Sequence, residues 1–105
     1  MIAEITVNNN EEFQILINNK DFRISKAIVE GILKNINTKK KNIKVLIIKC
    51  IEEQEIIDIT LDRKDFLNTL EKNIVHYIAE EKYEECQLIT LAINNLKSKK
   101  QIVHS

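Results

Sequence analysis

The stretch FLNTLEKNIVHYIAEEKYEECQLITLAINNL, residues 66–96, reads as two antiparallel helices joined by the short turn Ala79-Glu80-Glu81-Lys82. Phe66, Leu67, Leu70, Ile74, Tyr77 and Ile78 recur at i, i+3, i+4 spacing, and after the turn Tyr83, Cys86, Ile89, Ile93 and Leu96 continue the pattern on a second helix. Two amphipathic stripes that face each other make a hairpin. Asp62 is placed to cap its first helix through the amide of Lys64 or Asp65, and Asp65 adds negative charge to the first turn. Val75, Leu88, Leu91 and Ala92 lie off the stripes and give the pair a second apolar face, to lie on a sheet or to meet another molecule.

Upstream, residues 43–51 are β-branched and nearly continuous in hydrophobicity, as a central strand covered on both faces requires. Glu52-Glu53-Gln54 turns this strand back. Residues 55–61, with Ile57, Ile59 and Leu61 facing one way and Asp58 and Thr60 the other, read as its antiparallel partner with one wet face. Before the pair, Ser25 is placed as N-cap of a helix in which Ile28, Ile32, Leu33 and Ile36 recur at helical spacing. Gly31 inside that helix costs about 1 kcal/mol relative to Ala, and is expected to mark a close contact between helix and sheet. Asn37-Thr38-Lys39-Lys40-Lys41-Asn42 is an exposed basic loop.

At the front of the chain, Ile2, Ile5 and Val7 read as an edge strand or a loose arm. Residues 12–18, with Phe13, Ile15 and Ile17 on one face and Gln14 and Leu16 on the other, read as a strand closed by the turn Asn18-Asn19-Lys20-Asp21. The expected fold is therefore α+β in the order β-β-α-β-β-α-α, an antiparallel sheet of three or four strands covered by the first helix and the terminal hairpin. Residues 1–105 are expected to form a single domain, with a hairpin subregion at 62–97 and a flexible tail at 98–105.

Composition bounds the function. The 105 residues suffice for one core without disulfides or metals, and 44% hydrophobic beside 30% charged residues is an ordinary globular balance. Twenty Ile against five aromatic residues make that core aliphatic, and with no Pro and one Gly the turns fall mainly to Asn, Asp and Lys. The abundance of Ile, Lys and Asn also fits an A/T-rich genome, of a low-GC bacterium or its phage. Sixteen basic and sixteen acidic side chains cancel, so attraction to nucleic acid or an anionic membrane would have to be local. The start of the chain has no basic n-region and no segment approaches the ~20 apolar residues of a membrane span, which points to a cytoplasmic protein. Cys50 and Cys86 sit in apolar segments without a Cys-x-x-Cys spacing, as reduced core thiols do.

Catalytic groups are scarce. His76 and His104 are the only histidines; neither has a triad partner by spacing, and the second falls in the expected tail. Glu52, Glu53, Glu55 and Glu80, Glu81, Glu84, Glu85 cluster at turns, where solvated charge keeps helix ends and hairpin tips soluble. One Gly rules out a Gly-rich phosphate loop. The expectation is a protein that is not an enzyme and takes no cofactor or metal.

The hairpin also resembles a known module. Leu70-Glu71-Lys72 through Tyr77, then Glu81-Lys82-Tyr83-Glu84-Glu85-Cys86, then Ile89, Ile93 and Leu96, is similar to the UVR motif of the excision-repair helicase subunit and of adaptors of the Clp unfoldases. Tyr83, Glu84, Glu85 and Cys86 correspond to the aromatic, acidic and small residues that open the second helix in that family, whereas Thr90-Leu91 stands where it usually carries an Arg-Asp pair. The resemblance implies a helical hairpin with a protein-docking role.

Three function classes follow. In the first, a small non-enzymatic adaptor, accessory or inhibitor protein, in a phage setting one acting on host machinery such as a defence system, engages a protein partner or a second copy of itself through Glu80, Glu81, Glu84, Glu85, Leu88 and Leu91. A homodimer could bury an exposed strand edge or the hairpin's second apolar face. In the second, Lys39, Lys40, Lys41, Lys97, Lys99 and Lys100 contact the phosphates of a nucleic acid. No aromatic residue is interleaved with those lysines to stack on bases. A small enzyme whose pocket no spacing reveals is the remaining alternative.

Overall fold

The computed structural model describes residues 2–103, with side chains as far as 98. In chain order the elements are β1 (Ala3–Val7), α1 (Asn10–Asn18), α2 (Phe22–Asn35), β2 (Asn42–Cys50), β3 (Glu55–Asp62), a 3-10 turn (Arg63–Asp65), α3 (Phe66–Ala79) and α4 (Tyr83–Val103). The fold is α+β, and its sheet has the order β1-β2-β3, with β2 in the centre. β2 and β3 form the expected antiparallel hairpin, but β1 runs parallel to β2, so the sheet is mixed rather than antiparallel. The parallel pairing follows from what lies between the strands: two helices carry the chain back to its starting end before β2 begins.

The second expected strand is a helix. Asn9 caps α1 by accepting from the Glu12 amide at 2.8 Å, and the Glu12 carboxylate accepts from the Asn8 amide at 3.1 Å. This reciprocal pair sets the start of α1, and it outweighs the alternation of Phe13, Ile15 and Ile17. On the helix Phe13 and Leu16 pack against the core, while Ile15 and Ile17 stay largely exposed.

Two capping assignments also change. Asp21, not Ser25, caps α2, accepting from the Arg23 amide at 2.9 Å and pairing with Arg23 Nε at 3.0 Å; these contacts hold its carboxyl below the usual carboxylate range. Ser25 lies one turn inside the helix, buried, and donates to Asn73 Oδ1 at 2.7 Å. Asp62 makes no capping bond, because it is still in the ladder opposite Asn42 and a 3-10 turn separates it from α3.

The helices cover one face of the sheet. Ile43, Val45, Leu46, Ile48 and Cys50 of β2 are buried, joined by Ile5 and Val7 of β1 and the half-buried Ile57, Ile59 and Leu61 of β3. A register shift between Lys44 and Leu46 inserts Val45 as an extra residue, so adjacent Val45 and Leu46 both reach the core. This bulge accounts for the adjacent apolar pair Val45-Leu46, while Ile47 stands half-buried on the opposite face, in register with Glu4 and Asp58. The other face carries the ion pairs Lys44–Asp58 at 3.1 Å and Lys49–Glu4 at 3.2 Å.

Gly31 is where α2 meets the sheet: a Cβ there would lie 2.7 Å from Val45 Cγ1. From the hairpin, Phe66, Leu70, Tyr77, Ile89 and Ala92 are buried. Full burial of an aliphatic or Phe side chain contributes about 1.5–3 kcal/mol. Residues 98–103, assigned from sequence to a tail, belong to α4; the rest of that tail, including His104, lies outside the described residues.

Candidate functional site

The hairpin tip is built by a local bond pattern. The amide of Glu81 donates to Ile78 O at 2.9 Å and that of Lys82 to Tyr77 O at 2.9 Å, closing α3 with Glu81 in the left-handed region at φ 56°. Lys20, after α1, has φ 53° and closes that helix in the same way, its amide donating to Ile17 O at 3.0 Å and that of Asp21 to Leu16 O at 3.1 Å. With one Gly in the chain, such positions fall to Lys20, Gln54 and Glu81; of the expected Asn, Asp and Lys, only Lys takes one.

α2 starts beside this tip. Phe22, its first residue, packs edge-on against Tyr77 with ring centroids 4.9 Å apart, and Lys82 Nζ lies 6.0 Å from the Phe22 centroid. Between α2 and the hairpin a cleft of about 560 Å³ opens, with Phe22, Val29, Leu33, Tyr77 and Leu88 as its apolar surface. Arg23, Lys26 and Lys82 line it together with Glu30, Glu80 and Glu85. Arg23 is held by Asp21, and Lys26 lies 3.9 Å from Glu30. Burial pushes the phenol of Tyr77 up to about 12, and the negative charges of Glu30 and Glu85 add to the effect. The arrangement suits an apolar side chain flanked by groups of either charge.

The structure brings Glu80, Glu85 and Leu88 together in this cleft. Glu81 and Glu84 are exposed beside it. Leu91, 65% exposed, lines a shallow depression of about 400 Å³ with Cys86, Gln87 and Thr90. Sequence reading missed the whole α2 wall of the cleft; the Asp21 cap directly before Phe22 and Arg23 is the signal that would have placed those residues at a helix start.

The lysines divide differently. Lys39, Lys40 and Lys41 are exposed in the loop after α2. That loop is fastened by Arg63, whose Nε donates to Lys40 O at 2.6 Å, Nη1 to Ile36 O at 3.3 Å, and Nη2 to Asn35 O and Thr38 Oγ1, each at 2.8 Å. Lys97 is paired with Glu71 at 3.6 Å, which places it alongside the first half of α3. Lys99 and Lys100 lie on α4, and their side chains are outside the described residues. Because α4 returns antiparallel to α3, both lysine groups lie toward the end of the molecule where α3 begins.

His76 is half-buried and lines a smaller depression of about 170 Å³ with Ile17, Lys20, Ser25 and Asn73. Cys50 is buried with Sγ 3.3 Å from Asn10 Oδ1, and burial pushes its thiol up, with Glu53 and Glu55 adding to the shift. Cys86 is half-buried, and both thiols are free. Among the described residues no group of three or more His, Cys, Asp or Glu is placed to hold a metal, and no helix is long and apolar enough to cross a membrane. Comparison of the chain with family models, with curated proteins and with solved structures returns no match.

Proposed function

We propose that this chain is a non-enzymatic docking module, an adaptor or inhibitor type of protein, which seats part of a protein partner in the cleft between α2 and the hairpin tip. The observation that carries the reading is Leu88, 55% exposed at the cleft, where Phe22 and Tyr77 offer an apolar surface between charges of both signs. An apolar anchor ringed by polar groups is the usual centre of a protein interface. The UVR-like sequence of the hairpin supports the same role.

The test is a paired capture from source-cell lysate with and without nuclease. Wild-type chain is compared with a Leu88→Asp/Glu85→Lys variant whose melting curve matches it. A stoichiometric protein retained by the wild type and lost from the variant supports the cleft. Equal recovery by both removes it. Material lost on nuclease treatment from both would transfer the function to the lysines.

A further inference from the structure

β3 is an edge strand whose outer side is bare. In the sheet order β1-β2-β3 it pairs with β2 alone, and among the described residues no backbone bond ties it to any other segment. β1 lies across β2 from it, and α4 stays helical to Val103. The strand is eight residues long, or ~27 Å of extended backbone in which alternate peptide groups point away from β2. Such groups are made to pair.

The usual guards of an edge are missing. Residues 55–62, Glu-Ile-Ile-Asp-Ile-Thr-Leu-Asp, include no Pro and no Lys, and the bulge of this sheet is on β2, so β3 itself runs regular. Its apolar side chains are also incompletely covered. Ile57, Ile59 and Leu61 remain half-buried on the helix side, where Ile43, Val45 and Ile48 of the neighbouring strand are buried, and Ile56 is 69% exposed.

The strand is self-complementary in one register. Two copies related by a two-fold axis perpendicular to the sheet pair antiparallel through the same edge, with their helices on one face. Centred on Asp58, the pairing sets Asp58 against its own copy; centred on Thr60, it sets Asp58 against Asp62. Like charges directly opposite destabilise a sheet. Centred on Ile59, it sets Ile59 opposite Ile59, Ile57 opposite Leu61, Asp58 opposite Thr60 and Ile56 opposite Asp62, and no acid faces an acid. This register engages residues 56–62 of both copies.

We infer that β3 pairs with β3 of a second copy in this register, joining two three-stranded sheets into one of six strands. Ile57, Ile59 and Leu61, half-buried in one copy, then complete each other's cover at the join between the two cores. No residue of β3 lines the hairpin-tip cleft, so the dimer and the cleft stand or fall separately.

The experiment is sedimentation equilibrium of the purified full chain from micromolar to millimolar concentration, with amide hydrogen exchange measured at both ends of the range. A monomer–dimer equilibrium is expected, with slower exchange along residues 56–62 at the high end. Thr60→Asp is the discriminating variant. Within one copy the new carboxylate stands opposite Lys44, which favours the fold, whereas across the join it meets Asp58 twice, and a dimer about tenfold weaker is expected. Asp58→Asn/Thr60→Asp removes the facing acid and should restore the wild-type affinity. A monomer at millimolar concentration would overturn the proposal and leave the edge to a strand of another protein. A dimer unchanged by Thr60→Asp, or one abolished by Leu88→Asp/Leu91→Asp, would overturn it in favour of another face.

Discussion

The hairpin tip and the lysine loop lie at opposite ends of the molecule and differ both in charge and in how they are held. At the tip, Glu80, Glu81, Glu84 and Glu85 crowd a turn that closes through bonds spanning three and five residues, Glu81 to Ile78 and Lys82 to Tyr77. At the other end, Lys39, Lys40 and Lys41 sit on a loop fastened by Arg63 from 23 to 28 residues away. Between them run α2 and β2: Phe22 at one end of α2 meets Tyr77, while the carbonyls of Asn35 and Ile36 at its other end meet Arg63. Glu52, Glu53 and Glu55 add further acid at the far end of β2 from the lysine loop, where Glu52 and Glu53 accept bonds from Asn9 and Asn10 at the start of α1. A chain of zero net charge therefore folds into a molecule with an acidic end and a basic end. The contrast teaches that net charge describes a chain, whereas partners meet local fields.

If the loop depends on Arg63, its removal is the largest of the expected effects. Arg63→Met keeps an apolar stem over Phe66, whose ring centroid lies 4.9 Å from the guanidinium, but loses the four bonds. A loss of about 2–3 kcal/mol is expected in denaturant unfolding, with faster amide exchange in the loop. Arg63→Lys should recover little, since one ammonium cannot span the acceptors the guanidinium fork reaches. Full recovery by Lys would mean that charge alone holds the loop.

At the tip end the next effect is alkaline. Tyr77 is buried and its phenol is raised to about 12, so in the unfolded chain it ionises first. Its contribution is fully present below about pH 10 and is lost as pH rises from there to about 12, on the order of 2 kcal/mol. Tyr77→Phe should flatten that part of the pH–stability curve; parallel curves for the two proteins would refute the assignment.

Gly31→Ala tests the closeness of α2 to the sheet at the basic end. Helix propensity favours Ala by about 1 kcal/mol, but overpacking against Val45 costs about 1–3 kcal/mol, so a net loss of about 1 kcal/mol is expected. Val45→Ala introduced beside it should remove the clash; a Gly31→Ala protein more stable than wild type would show that β2 yields freely. Glu81→Gly has the opposite sign: it relieves a left-handed non-Gly residue and should raise stability by about 1 kcal/mol in thermal melts. The smallest effect is expected from Glu84→Lys, exposed beside the cleft, which should change stability by less than about 0.5 kcal/mol while weakening partner capture.

The legible parts of the fold share one property, that their determinants are near neighbours in sequence. The α3–α4 hairpin follows from the stripes of Phe66, Leu70 and Tyr77 and of Cys86, Ile89 and Ile93, and the β2–β3 hairpin from the alternation at Ile57, Ile59 and Leu61. Gly31 was legible as a close contact because a glycine inside a helix carries a cost that packing must offset. α1 departs from the expected strand although its signal is local: the Asn9 cap and Glu12 specify a helix start, and they prevail over the apolar alternation around Ile15. Half of the candidate cleft was legible, Glu80, Glu85 and Leu88 on the hairpin. Its other wall comes from α2, some 50 residues away, and no spacing links the two.

By itself, then, the sequence determined the aliphatic core, the two hairpins, the acidic tip and the tight passage at Gly31, because periodicity, turn chemistry and side-chain size act over a few residues. Only the tertiary structure decided that β1 pairs parallel, that a bulge at Val45 turns two adjacent apolar residues to one face, and that Ser25 meets Asn73 instead of capping a helix. It also decided that Arg63 gathers the end of α2 and the lysine loop. Each of these depends on which distant segments come to lie side by side, and that choice is made by the packing of the whole core.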